Sequence, residues 1–154
     1  MQRDENGQLD GRSPPSRPAD EGEERGPGGG LRAEISRGIV QIHKDTFGKG
    51  PTRARTYFDR DLVVCVLGGA MTRAERTLAD GGRERLVIEQ RAAWQELMRE
   101  RFVTLVQDIT GRPVLAFMST NHLDPDVAAE IFLLEPNGET PEERPTERAV
   151  PDPV

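Results

Sequence analysis

The stretch that most constrains the fold is residues 72–111, which the sequence predicts to be a short capped helix followed by one long amphipathic helix. Thr72 and Glu75 have the spacing of a capping box, in which each side chain accepts a hydrogen bond from the other residue's backbone N–H. The long helix runs from about residue 83 to 110, carries apolar residues at spacings of 3, 4 and 7, and ends at Gly111. Such a helix must bury its apolar face, so the flanking segments have to supply a surface for it.

Two pairs of short apolar segments flank these helices and are predicted to form two β-hairpins. The predicted strands are residues 53–59, 62–67, 114–119 and 130–134. The run at 62–67, Leu-Val-Val-Cys-Val-Leu, is typical of a strand in the centre of its sheet. A first helix is predicted over residues 31–47, with Gly48 as its cap. The order α-β-β-α-α-β-β predicts an α+β fold, in which helices, including the long one, cover one face of a four-stranded antiparallel sheet.

The charge distribution divides the chain into one domain and two tails. Residues 1–30 are rich in Gly and Pro, with 4 basic and 7 acidic residues, and residues 136–154 have 2 basic and 5 acidic residues. Both compositions are typical of disordered segments. Residues 31–135 hold 15 basic and 15 acidic residues and form the predicted domain. A neutral domain disfavours general nucleic-acid binding, which depends on neutralising phosphates.

The cysteine count and the lack of long apolar segments limit the kinds of protein that this chain can be. Cys65 is the single cysteine and lies inside an apolar run, which excludes a disulfide framework or a four-ligand zinc site within one chain and indicates a buried thiol. No apolar stretch approaches the 18 residues of a membrane-spanning helix, and the N-terminal segment lacks the hydrophobic stretch of a signal peptide. We therefore expect a cytoplasmic protein with no direct insertion into a membrane.

Several short motifs occur together in an order that resembles one family. They are Gly-Lys-Gly-Pro at 48–51, the strand at 62–67, Gly-Ala-Met-Thr at 69–72 with Glu75 and Leu78, then Arg85, Val87 and Arg91, Gly-Arg-Pro-Val at 111–114, and Ile-Phe-Leu-Leu at 131–134. This pattern resembles the MpsC-like family, named for a component of a Na+-translocating, membrane-potential-generating system. The resemblance covers about residues 33–135 and departs from the family at Met71, where a Leu is usual.

The resemblance implies a small cytosolic protein that works beside a membrane system for ion or inorganic-carbon uptake. It implies membrane ion-transport subunits as partners, and it transfers no catalytic residue and no cofactor. From this we expect a non-enzymatic accessory or regulatory module, associated with the membrane only through a partner. On the long helix, Arg91 is a candidate partner-binding residue, although mixed charges along a helix are more typical of a solvated face.

A second interpretation is a binding domain for a small anionic ligand or RNA, using Lys49, Arg53 and Arg55. The arginines alternate along a predicted strand, so their side chains point the same way. The Gly-Lys-Gly-Pro motif is not a phosphate-binding P-loop, which requires a strand before it and a helix after it. Here the order is reversed, and a helix cap followed by a turn is the simpler interpretation.

The other polar groups give no catalytic or metal site. His122, Asp124 and Asp126 lie in one loop without metal-ligand spacing, and His43 lies beside the apolar stripe of the first helix. We therefore predict neither catalytic residues nor a bound metal. At about 1.5 Å per residue the long helix measures about 42 Å, whereas six-residue strands span only about 20 Å. The overhang suggests a homodimer formed through the long helix.

Overall fold

A computed structural model describes residues 27–138, and the outer parts of the predicted tails, at 1–26 and 139–154, lie outside them. Three helices and four strands follow one another in the predicted order. They are α1 (Pro27–Phe47), β1 (Arg53–Asp59), β2 (Leu62–Gly68), α2 (Arg73–Asp80), α3 (Glu84–Thr110), β3 (Val114–His122) and β4 (Val127–Leu134). The α+β class and the element order are thus confirmed.

The predicted ends of the long helix are confirmed, whereas α1 starts earlier, β3 ends later and β4 starts earlier than predicted. Gly111 ends α3 in the left-handed conformation, at φ 68°, which glycine adopts without steric cost. Helix α1 begins at Pro27, four residues before the predicted start, at a residue type favoured in the first turn. Strand β3 continues to His122 and β4 starts at Val127, because His122 and Asn121 pair with Val127 and Ala128 in the hairpin. The polar residues that predicted a loop are therefore held in strands by their partners.

The four strands form one antiparallel sheet in the order β1-β2-β4-β3. Strand β2 is an inner strand, as its continuous apolar run predicted. Helices α1 and α3 pack together and on one face of the sheet, and α2 packs on α3. The core between the layers is formed by residues that alternate along the strands and recur along the helices, including Ile35, Ile39, Val63, Leu67, Met98, Phe102, Val106, Phe117, Phe132 and Leu134.

Helices α1 and α3 approach each other closely at Gly38 of α1, which has no side chain. A Cβ added at Gly38 would lie 2.6 Å from both Cδ atoms of Leu105, so α3 occupies the space that a larger residue would need. The sequence shows Gly38 only as a weak point in a helix, because glycine lowers helix propensity. The structure gives its reason, which is the close approach of α1 and α3 over the sheet.

Candidate functional site

A buried ion pair joins α3 to α2. Arg91 donates from Nε to Glu75 Oε1 at 2.8 Å and from Nη2 to Glu75 Oε2 at 2.9 Å, and both side chains are about 95% buried. The same carboxylate accepts from the N–H of Thr72 at 2.7 Å, which confirms the predicted capping box. Burial acts to raise the pKa of Glu75, but the hydrogen bonds from Arg91 and Thr72 outweigh it and hold that pKa below its usual range.

The Arg91 guanidinium also reaches two other parts of the chain. Its Nη2 donates to the carbonyl of Ala70 at 3.0 Å, and its Nη1 donates to Asn121 Oδ1 at 3.2 Å. The ring of Phe47 lies 6.0 Å from the guanidinium carbon, within the range of a cation–π contact. One side chain of α3 therefore connects α2, the segment after β2, the end of β3 and the end of α1.

Two more polar contacts extend this group to residues 48–52, which connect α1 to β1, and to the residue before β4. Lys49 Nζ donates to the carbonyl of Met71 at 2.9 Å, and the N–H of Met71 donates to Asp126 Oδ2 at 2.9 Å. We define the junction cluster as Lys49, Ala70, Met71, Thr72, Glu75, Arg91, Asn121 and Asp126. Most of these residues belong to motifs that carry the family resemblance, so the structure brings separate motifs together at one end of the sheet.

The charged side chains of the junction cluster hold helices, strands and connecting segments in place through hydrogen bonds. All three nitrogens of the Arg91 guanidinium are engaged by protein oxygens, and the Lys49 ammonium is held by a backbone carbonyl. The sequence placed Arg91 on a surface, but its side chain is buried. Any contribution of Arg91 to partner binding must therefore act through the placement of α3.

The two predicted strand arginines lie together, apart from the third predicted residue. Arg53 and Arg55 line an open cleft of about 470 Å³ on the side of the sheet away from the helices, with Tyr57 among the other lining residues. The Arg55 guanidinium lies 5.4 Å from the centre of the Tyr57 ring. Lys49 does not line this cleft. The predicted three-residue anion site is thus divided into a pair and a separate lysine.

A second polar group, which the sequence reasoning missed, lies inside the core. Thr56, Cys65, Glu130 and Ser119 are paired in register across β1, β2, β4 and β3 on the face that the helices cover. Glu130 is completely buried, and its Oε1 lies 3.5 Å from Nε2 of the buried His43. Neither carboxylate oxygen has a hydrogen-bond partner among the described residues. Alternation along β4 could have shown this, because Glu130 has the same parity as the buried Phe132.

Cys65 belongs to this internal row and is buried, as its apolar surroundings predicted. Burial raises the pKa of the Cys65 thiol, and the nearby Glu130 charge adds to the effect. Hydrogen bonds with Thr56 and Ser36 act in the opposite direction and are weaker in total. A thiol with a raised pKa is a poor nucleophile, so this cysteine is a packing residue.

The polar residues around the loop before β4 form hydrogen bonds with the protein backbone. His122 Nδ1 lies 2.9 Å from the carbonyl of Pro125, and Asp126 holds the Met71 N–H. Within residues 27–138, no three His, Cys, Asp or Glu side chains are grouped closely enough to hold a metal ion.

Comparison with known proteins gives one family match and two relatives. The family described as "Na+-translocating membrane potential-generating system (MpsC)" matches residues 28–136. The uncharacterized protein YbcI of Bacillus subtilis (strain 168) is 32% identical over 90 residues, which are 58% of this chain and 73% of YbcI. The uncharacterized protein YrhF of the same organism is 24% identical over 99 residues, covering 63% of this chain and 81% of YrhF. No solved structure matches the chain significantly.

Proposed function

Because this chain belongs to the MpsC family, we propose that it is a non-enzymatic accessory module of a Na+-translocating, membrane-potential-generating system. The family links the chain to such a system, and the proposed role as an accessory module is supported by the surface of α3. We propose that α3 binds a cytoplasmic part of a transport subunit. The module works in the cytoplasm and reaches the membrane through this partner. Among the described helices, none is both long enough and apolar enough to cross a bilayer.

The observation that supports this role is an exposed, mostly apolar stripe on the first half of α3, in which Gln90 is the polar member. Leu97 is 73% exposed and Leu86 is 50% exposed. At 100° per residue these two positions, with Trp94, lie within about 80° of one another around the helix. Trp94 is 38% exposed, and its ring is T-shaped to the ring of Phe47, with 6.1 Å between the ring centres. An apolar helix face that folding leaves in water is suited to binding in a groove of another protein.

The junction cluster supports the same proposal. Arg91 lies between Leu86 and Leu97 in the sequence, and its bonds to Glu75, Ala70 and Asn121 hold this half of α3 in place. A helix face that is fixed before binding loses less conformational entropy when the partner binds. The cluster would then serve binding without touching the partner.

The test compares a stripe variant with a matched variant on another side of the same helix. Leu97→Glu places a charge in the stripe, whereas Ile88→Glu places the same charge about 160–200° away from Leu86 and Leu97. Each tagged full-length chain replaces the native protein in its own host. It is then captured from membranes solubilised in mild detergent, and integral cation-transport subunits are quantified by mass spectrometry.

We expect Leu97→Glu to weaken binding at least about tenfold, which corresponds to about 1.4 kcal/mol of binding free energy, and so to lower the recovery of those subunits. We expect Ile88→Glu to retain them, and the Na+-dependent membrane potential of the cells to fall only with Leu97→Glu. Equal recovery with all three proteins would contradict the proposal. So would substrate turnover by the purified chain that a point substitution abolishes without unfolding it.

A second candidate function is binding of a small anionic ligand in the Arg53–Arg55 cleft. Its support is the pair of exposed guanidinium groups beside Tyr57. Titration of the purified chain with inorganic phosphate and with a nucleotide, observed by NMR, tests it. We expect saturable shifts that are lost in Arg53→Gln/Arg55→Gln if this function is correct, and none if it is not. A salt-sensitive gel shift with RNA would favour the RNA form of this proposal.

A further inference from the structure

The side of the sheet away from the helices is apolar and exposed. Alternate residues of the four strands point to it, and within residues 27–138 no helix covers it. Tyr57 and Met118 are 51% and 53% exposed, and Leu62 and Leu133 are about 40% exposed. We define the open sheet face as the alternate residues of the four strands that point away from the helices, which include Arg53, Asp59, Leu62, Met118, Ile131 and Leu133.

We propose that the open sheet face binds a second copy of this chain, so that two sheets pack face to face around a two-fold axis. Contiguous exposed apolar surfaces of this kind mark interaction sites in soluble proteins. Sheets that pack face to face through apolar side chains are a common arrangement, with strands of the two layers about 30° apart. The helices then lie on the two outer sides of the pair.

The area of the face fits a small but specific dimer. Four strands spaced about 4.8 Å apart and about 23 Å long give roughly 450 Å² of flat area per copy. The pair therefore covers about 900 Å² before the relief of the side chains is added, close to the lower limit of about 1,000–1,200 Å² for specific interfaces. We therefore expect a dimer that dissociates in the micromolar range.

The open sheet face also offers more area for a dimer interface than the exposed stripe of α3 does. The stripe between Leu86 and Leu97 is about 17 Å long and about 10 Å wide, so it offers only about 170 Å² per copy. That is less than half of the sheet area and far below what a dimer needs. Two such stripes packed on each other are too small for a dimer, so we propose the sheet and not α3 as the dimer surface. A partner that binds α3 in a groove also contacts the sides of the helix and is not limited to this area.

The charges on β1 select the direction of the two-fold axis. Arg53 stands at one end of the outward row on β1 and Asp59 stands at the other. An axis in the plane between the sheets and perpendicular to the strands places β1 on β1 with the order reversed. Arg53 then lies near the second copy's Asp59, and Arg55 lies near the second copy's Tyr57, so the dimer excludes an anionic ligand from the Arg53–Arg55 cleft. An axis parallel to the strands would instead place Arg53 over the His122 end of β3, where the outward row has no acid.

The first test is the mass of the purified full-length chain as a function of concentration. Sedimentation equilibrium from about 1 µM to about 200 µM spans the range in which an interface of this size dissociates. We expect the mass to rise from 17.1 kDa towards twice that value. Met118→Glu should stay monomeric throughout, and Leu97→Glu should dimerise like the natural chain. Both side chains are more than half exposed, so the folded monomer tolerates either change, which circular dichroism checks.

A monomer at every concentration would overturn the proposal. Dimerisation of Met118→Glu together with a monomeric Leu97→Glu would overturn it in favour of the helix. The axis is tested separately by charge exchange. Arg53→Asp should raise the dissociation constant about tenfold, and Arg53→Asp/Asp59→Arg should restore it. A double variant as weak as the single one would overturn the proposed arrangement of β1 on β1.

Discussion

Replacing Arg91 by Met tests whether the junction cluster holds α2 and the connecting segments onto α3. The change keeps a long apolar side chain of similar reach and removes all of the hydrogen-bond donors. Glu75 would keep the N–H of Thr72 as a partner but would lose both bonds to the guanidinium. The carbonyl of Ala70 and the amide of Asn121 would each lose a donor as well.

The expected loss in the free energy of unfolding is about 3–5 kcal/mol, the cost of breaking a buried ion pair by removing one partner. Small domains have only about 5–15 kcal/mol of stability in total, so this loss is a large fraction of it. The control is Arg85→Met, because the pair of Arg85 with Glu89 is exposed and should contribute under about 0.5 kcal/mol.

Urea unfolding of both variants, followed by circular dichroism and by Trp94 fluorescence, measures the two losses. Adding Glu75→Gln to Arg91→Met should recover part of the stability, because the buried carboxylate is then neutral. A loss below about 1 kcal/mol for Arg91→Met, or a loss equal to that of the Arg85 control, would refute the reasoning. The cluster would then be a set of contacts with no net contribution to stability.

The same pair predicts a pH dependence with a defined sign. The pKa of Glu75 is lowered below its ordinary value of 4.5, so the folded state binds this proton less readily than the unfolded state. The pair therefore stabilises the fold fully above the unfolded pKa, and its contribution is lost as the pH falls through the folded pKa. We expect the difference in stability between the natural chain and Arg91→Met to shrink below pH 4.5. A constant difference from neutral to acid pH would contradict this.

Three further predictions concern the core. His43→Leu should lower the free energy of unfolding by about 1–3 kcal/mol, because the fully buried Glu130 carboxylate loses the polar imidazole that lies 3.5 Å from its Oε1. Urea unfolding should show partial recovery when Glu130→Gln is added, and no recovery would contradict this prediction. Cys65 should react with a thiol reagent only in urea, since burial both shields it and raises its pKa; rapid labelling of the native chain would contradict this. Gly38→Ala should lower the free energy of unfolding by less than about 2 kcal/mol, because overpacking against the Leu105 side chain costs about 1–3 kcal/mol and the higher helix propensity of alanine offsets about 1 kcal/mol. In a Leu105→Ala background the same change should stabilise the fold; equal effects in both backgrounds would locate the cost elsewhere.

The capping box shows how far local signals reach in this chain. Thr72 and Glu75 are three residues apart, and their hydrogen bonds require only the first turn of a helix, so the sequence was enough to predict them. Gly111 likewise marks the end of α3, because its left-handed conformation depends on the residue type. The pairing that carries β3 on to His122 has no such local signal.

The sequence by itself determined the order of the elements, the class of fold and the capped ends of α2 and α3, since these depend on residues within about one helical turn or one strand. Only the tertiary structure placed β4 between β2 and β3, joined Arg91 to Glu75 across 16 positions and put Glu130 beside His43. It also decided which candidate residues share a surface, separating Lys49 from Arg53 and Arg55. The physical reason is that these contacts form when whole elements pack, and the partner that satisfies a buried polar group can come from any part of the chain.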